Sequence, residues 1–463
     1  MRRNGCPIAF QKLATQKILS CASSVTTPAL FLNQSFAMRS FFTPVSWSVH
    51  TNIYEVNLRQ YTTEGTFVAF SKELYRLRDM GVETLWFMPI TPISELNKKG
   101  TLGSYYACSS YVNTNKEFGS IKDFKKLVEE AHRLGFKVII DWVANHTGWD
   151  HEWTTTNPDF FVQNDKGQFV PPVENWEDTI KLDFNNKRMR LAMIAAMEFW
   201  VRECNIDGFR CDMAHLVTLD FWKQARTHLD SIKKLFWLAE CEETNYHEAF
   251  DATYTWHWMH ESMQFYRKHI NLQQLMQVLE RYHTDFPPQA QRVFFTSNHD
   301  ENSWTGTEFE KYGDAVKLLA VFNCTWQGIP MLYSGQEMPN HKRLKFFDKD
   351  AIEWNGRYEF HDFYKRLLKL HSIYPALGAD SSTTTIVLKN EADKFVLSYL
   401  RKKDDREVLV LLNMSDADKS FFSITDDRLK GKFTNLFSGN ESDFTHQKYF
   451  ALRPWEYLVY VKK

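Results

Sequence analysis

Ile206-Asp207-Gly208-Phe209-Arg210-Cys211-Asp212-Met213 reads as a strand that ends in charge. Strand side chains alternate between faces, so Arg210 and Asp212 share one face while Phe209 and Cys211 take the other. A guanidinium within contact range favours the carboxylate form of an aspartate. Arg210 is therefore expected to hold Asp212 ionised and fixed in position. Taken alone, the pair describes a structural salt bridge at a strand end.

Three more segments widen that reading. Lys137-Val138-Ile139-Ile140-Asp141-Trp142-Val143-Ala144-Asn145-His146, Leu235-Phe236-Trp237-Leu238-Ala239-Glu240 and Arg292-Val293-Phe294-Phe295-Thr296-Ser297-Asn298-His299-Asp300 are also apolar runs with polar ends. Four buried-type strands, each delivering a carboxylate, His or Asn at its C-terminal end, are what the active site of a (β/α)8 barrel requires. In order, DWVANH (141–146), GFRCD (208–212), LAECE (238–242) and FTSNHDEN (295–302) resemble the four signature regions of the α-amylase family, glycoside hydrolase family 13. The resemblance runs from about residue 52 to the C-terminus.

The chain around these motifs keeps a strand–helix rhythm. Residues 52–56 and 84–88 read as the first two strands. Phe67, Phe70, Leu74, Leu77 and Met80 recur at helical spacing, with Gly81 as the stop. Ser120 and Asp123 open the next helix as a capping box, Phe124, Leu127, Val128, Ala131 and Leu134 line its face, and Gly135 closes it. Residues 148–181 interrupt the repeat with a polar, irregular stretch carrying Trp149, Trp153, Trp176 and Pro171-Pro172, where the family inserts its B domain. A helix with Met189, Met193, Ala196, Met197 and Trp200 then restores the rhythm. Strands six and eight are expected at 252–256 and 330–333. After about Pro375, apolar or alternating runs at 383–389, 395–401, 407–412, 432–437 and 449–461 predict an antiparallel β domain. The expected organisation is α/β. It comprises an N-terminal extension without regular structure at 1–47, a (β/α)8 TIM barrel at 48–375 holding a short B insertion at 143–182, and a C-terminal β-sandwich at 376–463.

Bulk properties narrow the function classes. At 463 residues the chain can bury a large core, and its formal net charge of −1 with scattered Lys and Arg points away from nucleic acid and anionic membranes. No apolar run is long enough to cross a bilayer. The 7 cysteines (Cys6, Cys21, Cys108, Cys204, Cys211, Cys241 and Cys324) contain no CxxC pair, which fits a reducing compartment and a cytoplasmic location. Residues 1–54 carry Arg2, Arg3, Lys12, Lys17 and Arg39 but no Asp or Glu. That bias resembles a transit peptide, or else the true start is Met38; residues before Met38 are expected to play no part in fold or catalysis.

The resemblance assigns roles residue by residue. Asp212 matches the family's nucleophile and Glu240 its general acid. Asp300 matches the third carboxylate, which holds sugar hydroxyls as the oxocarbenium ion forms. His146 and His299 match substrate-binding histidines, and Arg210 is the nucleophile's partner. Tyr106, counted back from Glu117-Phe118-Gly119, falls where the family stacks a tyrosine under the reacting sugar; its alternative is a packed loop aromatic. Asn145 and Asp183 match positions that bind a structural calcium in many α-amylases, yet the sequence contains no full oxygen cage, and Ca²⁺ takes 6–8 ligands. Asn145 can equally hold the loop by hydrogen bonding; no cofactor is required for the chemistry, a structural calcium stays open, and the metal ligands are left unassigned. The chain departs from the family at Ser110, at His215-Leu216 and at Cys241-Glu242-Glu243, positions tied to specificity. The resemblance thus implies a retaining hydrolase of α-1,4 linkages in starch-like or maltooligosaccharide substrates. Alternatives within the family are an α-glucosidase, a cyclomaltodextrinase and a transglycosylating enzyme; outside catalysis, an amylase-like binding protein.

Overall fold

The computed structural model describes residues 42–417 and 420–462. Eight parallel strands close into a barrel in sequence order. They are β1 (Ile53–Val56), β2 (Thr84–Phe87), β3 (Lys137–Trp142), β4 (Gly208–Cys211), β5 (Phe236–Ala239), β6 (Ala252–Tyr254), β7 (Gln291–Phe294) and β8 (Ile329–Tyr333). Register places Asp141 of β3 opposite Arg210 of β4, and β8 closes against β1 through Met331 and Ile53.

Alternation sorts each strand. Ile53, Ile139, Phe236, Leu238, Val293, Ile329 and Met331 share one apolar cluster inside the barrel. Their outward neighbours Tyr54, Ile140, Phe209, Cys211 and Trp237 belong to the layer under the helices. Gly208 lets β4 and β5 meet in that interior, because a Cβ there would lie 2.1 Å from the Phe236 carbonyl oxygen.

The helices follow from their caps and apolar faces. Ser120 and Asp123 form the expected capping box at Ile121–Arg133, whose Phe124, Leu127, Val128 and Ala131 are buried. The segment after β1 differs from the single helix its spacing suggests. It forms Phe67–Ser71 and Leu74–Met80, joined by a tight turn at Lys72-Glu73, before Gly81 ends it at φ 95°. Strand six is shorter than expected: the backbone turns at Thr255 and Trp256 already begins the helix Trp256–Tyr266.

After β3 the insertion is held by a small antiparallel pair, His146–Gly148 with Thr179–Lys181. The C-terminal part is a six-stranded antiparallel sheet covered on one face by a two-stranded ribbon, Ser420–Ser423 with Tyr449–Leu452. The expected strand at 449–461 is two, Tyr449–Leu452 and Tyr457–Val461, separated by a turn in which Trp455 has φ 54°. The sheet's other face meets the barrel helices, where Tyr399 packs on Trp326 and its hydroxyl lies 2.6 Å from Thr325 Oγ1.

Residues 1–41, including the segment before Met38, lie outside the described residues. Residues 42–47 do not behave as an extension. Val45 is buried in the barrel's inner cluster, Trp47 packs 5.4 Å from Phe236, and Phe42 lies under the Arg226 guanidinium at 4.6 Å. The boundary at residue 48 therefore cuts through a docked segment, because apolar side chains there close the N-terminal end of the barrel.

Candidate active site

The C-terminal ends of the strands carry the charge. Arg210, fully buried on β4, lies at the centre. Its Nη1 donates to Asp141 at 2.9 and 3.1 Å and to Asp212 Oδ1 at 3.0 Å. Its Nη2 lies 2.9 Å from Glu240 Oε2 without the alignment of a hydrogen bond. Its Nε donates to the Tyr254 hydroxyl at 3.2 Å, and the Trp86 ring faces the guanidinium at 4.9 Å. Glu240 Oε2 also accepts from the Met213 backbone N–H at 2.9 Å.

One guanidinium thus serves three carboxylates, which alters the expected electrostatics of Asp212. Burial, followed by the charge of Glu240, pushes the Asp212 carboxyl well above the ordinary aspartate range, and Arg210 offsets this only in part. Asp141 is pushed up to about 6, chiefly by burial. Arg210 fixes Asp212 in place as foreseen, but it does not hold it low, because burial and the charge of Glu240 outweigh it.

The opposite wall joins β7 to the loop after β2. His299 Nε2 lies 2.7 Å from the Tyr106 hydroxyl and 3.4 Å from Asp300 Oδ2, and that hydroxyl donates to Asp141 Oδ2 at 3.1 Å. Tyr106 is therefore tied into the constellation rather than being a packing aromatic alone. The Asp300 side chain is 42% exposed, against 9% for Asp212 and 6% for Glu240, so it faces open solvent at the mouth. His146 lies beside the Tyr106 backbone and Trp176 of the insertion; burial lowers its pKa to about 4, leaving it neutral.

Several neighbours escaped sequence reading. Glu55 contacts His299 Nδ1 at 2.5 Å, and Asp141 anchors Arg210. Phe346 stacks on Tyr106 at 6.2 Å with Trp304 beside it at 5.5 Å. A period-two signal marks the first two: Glu55 follows inward-facing Ile53, and Asp141 follows Ile139. Phe346 and Trp304 sit in loops whose sequence carries no such periodicity.

The residues matched to a calcium site make protein contacts of their own. Asp183 Oδ1 accepts from Asn185 N and Nδ2, both at 3.0 Å, and Asn145 Nδ2 lies 3.3 Å from His146 Nδ1. Among the described residues no group of three or more His, Cys, Asp or Glu could hold a metal ion. The departures from the family are local: Ser110 accepts from Asn113 Nδ2 at 3.2 Å, while Glu242 accepts from the Tyr282 hydroxyl and is pushed up to about 7 by burial.

A family model described as the catalytic domain of alpha amylase matches residues 48–366. The chain belongs to the α-amylase family. It is a glycoside hydrolase of that family. It is 24% identical to alpha-amylase 2 of Dictyoglomus thermophilum over 88% of this chain and 75% of that one. It is also 24% identical to a cyclomaltodextrinase of a Bacillus species, over 74% of this chain and 64% of that one. Among solved structures, a noncanonic maltogenic alpha-amylase from Thermotoga neapolitana superposes with TM-score 0.82 at 28% identity, covering 90% of this chain and 99% of the other. The barrel and C-terminal β domain are common to both. No helix among the described residues is long and apolar enough to cross a membrane.

Proposed function

We propose that the chain hydrolyses α-1,4-glucosidic bonds with retention of the anomeric configuration. Asp212 attacks the anomeric carbon, while Glu240 gives its proton to the departing glycosidic oxygen. Glu240 then takes a proton from the water that breaks the glycosyl-enzyme bond. Asp300 accepts from sugar hydroxyls as positive charge develops on the ring, and His146, His299 and Arg210 orient the groups around it. The chemistry runs on side chains alone.

One observation carries this reading. The two terminal nitrogens of a single guanidinium reach Asp212 and Glu240 at 3.0 and 2.9 Å. Carboxylates bridged by one guanidinium lie within reach of the separation of about 5–5.5 Å that retaining enzymes use. Proton NMR of early hydrolysis should show the α-anomer first; initial β-product would overturn Asp212 as nucleophile.

Short substrates suit the mouth. The insertion contributes two strands of three residues each, and Phe346 with Trp304 crowds the Tyr106 side. Relatives named for cyclomaltodextrin and maltogenic action support the same preference. Thin-layer chromatography of products from starch, maltotriose and maltose tests it, and a kcat/KM higher on long amylose than on maltopentaose would overturn it. A cytoplasmic location is supported by Cys108, Cys204, Cys211, Cys241 and Cys324, all buried free thiols.

A further inference from the structure

Glu55 lies outside all four motif segments, on β1, with no exposed surface. Its Oε1 lies 2.5 Å from His299 Nδ1, and among the described residues its Oε2 has no hydrogen-bond partner. The protonation of His299 follows from the bonds around it. The Tyr106 hydroxyl has one proton and donates it to Asp141 Oδ2 at 3.1 Å. Towards His299, 2.7 Å away, the same oxygen must accept, so Nε2 carries a hydrogen. Nδ1 faces a carboxylate and donates as well. A ring that donates from both nitrogens is an imidazolium.

We propose that Glu55 is a positioning residue of the hydrolytic site, holding His299 as a cation that donates to Tyr106 and faces Asp300. This rests on the roles given above to Asp212, Glu240 and Asp300. The groups facing the ring come from around the barrel mouth. Glu55 on β1, Tyr106 after β2, Asp141 on β3 beyond the Tyr106 hydroxyl, and Asp300 next in sequence favour or accept from the cation, whereas Arg210 on β4 repels it. The Trp86 edge on β2 at 6.1 Å and Phe346 after β8 at 6.2 Å close the remaining sides. Burial pulls the imidazole down, but Asp300 and Glu55 outweigh it and lift His299 to about 9.

The chemistry of an uncharged substitute is then defined. In Glu55→Gln the amide oxygen can still accept from Nδ1–H, so the shape persists, but no buried anion compensates a second ring proton. Nε2 becomes a bare acceptor, Tyr106 must divide its proton between Nε2 and Asp141, and Asp300 faces a lone pair. The Asp300 carboxylate would remain while its counter-cation is lost.

Long-range ¹H–¹⁵N NMR of the histidine rings reads this directly, with the His299 signals assigned by their loss in His299→Gln. In the wild type both nitrogens should remain protonated up to pH 8. In Glu55→Gln one should be bare at pH 7, with kcat lower by roughly tenfold to a hundredfold, KM changed far less, and Tm preserved. Glu55→Asp, which keeps the anion, should restore the charge in part. A neutral His299 in the wild type at pH 7, or an unchanged His299 titration in Glu55→Gln, would overturn the proposal. If Glu55→Gln does not fold, the wild-type titration and Glu55→Asp still decide it. The NMR signal needs no turnover, so a failure of the Asp212 and Glu240 assignment would appear separately, in the anomer experiment.

Discussion

At the N-terminal end of the barrel, Ile53, Ile139, Phe236 and Ile329 fill the interior, and Val45 and Trp47 pack beneath them. Two to four residues further along the same strands, the interior holds Glu55, Asp141, Arg210, Asp212 and Glu240. The first end is stabilised by area removed from water, about 25 cal/mol per Å² of apolar surface. The second end gathers five carboxylates, counting Asp300, around Arg210 and His299, and burying charge opposes folding unless each group is paired. Stability is thus concentrated at the closed end and reactivity at the open one. Substitutions should separate the two properties according to which end they touch.

The largest separation is expected at the mouth. Asp212→Asn should lower kcat on the order of 10⁴-fold or more, while Tm holds or rises because one of the mutually repelling carboxylates is gone. A Tm loss of many degrees, with measurable turnover left, would mean the cluster supports the fold rather than the reaction. At the other end, Phe236→Ala removes a fully buried ring from the inner cluster. It should cost about 3–5 kcal/mol in urea unfolding yet leave kcat per folded molecule near wild type. A collapse of kcat at unchanged stability would erase the contrast between the ends.

A smaller effect concerns pH and sharpens the contrast. Burial lowers His151, His247 and His371 to about 3 and His146 to about 4, so the fold keeps them neutral. The unfolded chain takes up those protons near pH 6.5, so their contribution is present above pH 6.5 and is lost as pH falls towards 4. His299 has the opposite sign: raised to about 9, it contributes fully below pH 6.5 and loses that contribution as pH rises through 9. Carboxylates held high, such as Asp141 at about 6, also oppose the acid slope. A difference between two proteins isolates one histidine. His371→Gln should flatten the stability slope between pH 6.5 and 4.5 by about 1.2 kcal/mol per pH unit. Parallel slopes in the two proteins would place the His371 proton elsewhere. The smallest effect should come from chelation, since Asn145 and Asp183 are engaged by their neighbours. Overnight EDTA should leave Tm and kcat within error; a loss restored by calcium would show that the insertion closes around a cation.

Much of the barrel was legible because its signals are local. The period of two in β1, β3, β4 and β5 places inward and outward residues, and the cap at Ser120 and the stop at Gly81 are set by neighbours in the chain. The residues of the four motifs came together because each ends a strand on the same rim. Less legible were Glu55 and Phe346, whose roles depend on partners 244 residues away in the first case and on a loop after β8 in the second. The split of the last strand at Trp455 and the early end of β6 at Thr255 also escaped, since both follow from packing against other elements.

By itself the sequence determined which side chains face inward, where the strands end in charge, and hence which residues could meet at one rim. Alternation and capping act over a few residues and need no knowledge of the rest. Only the tertiary structure decided how one guanidinium is shared among Asp141, Asp212 and Glu240, which nitrogen of His299 meets which partner, and that residues 42–47 close the barrel from below. Charge, proton position and desolvation depend on distances between segments far apart in the chain, and those distances exist only once the barrel has closed.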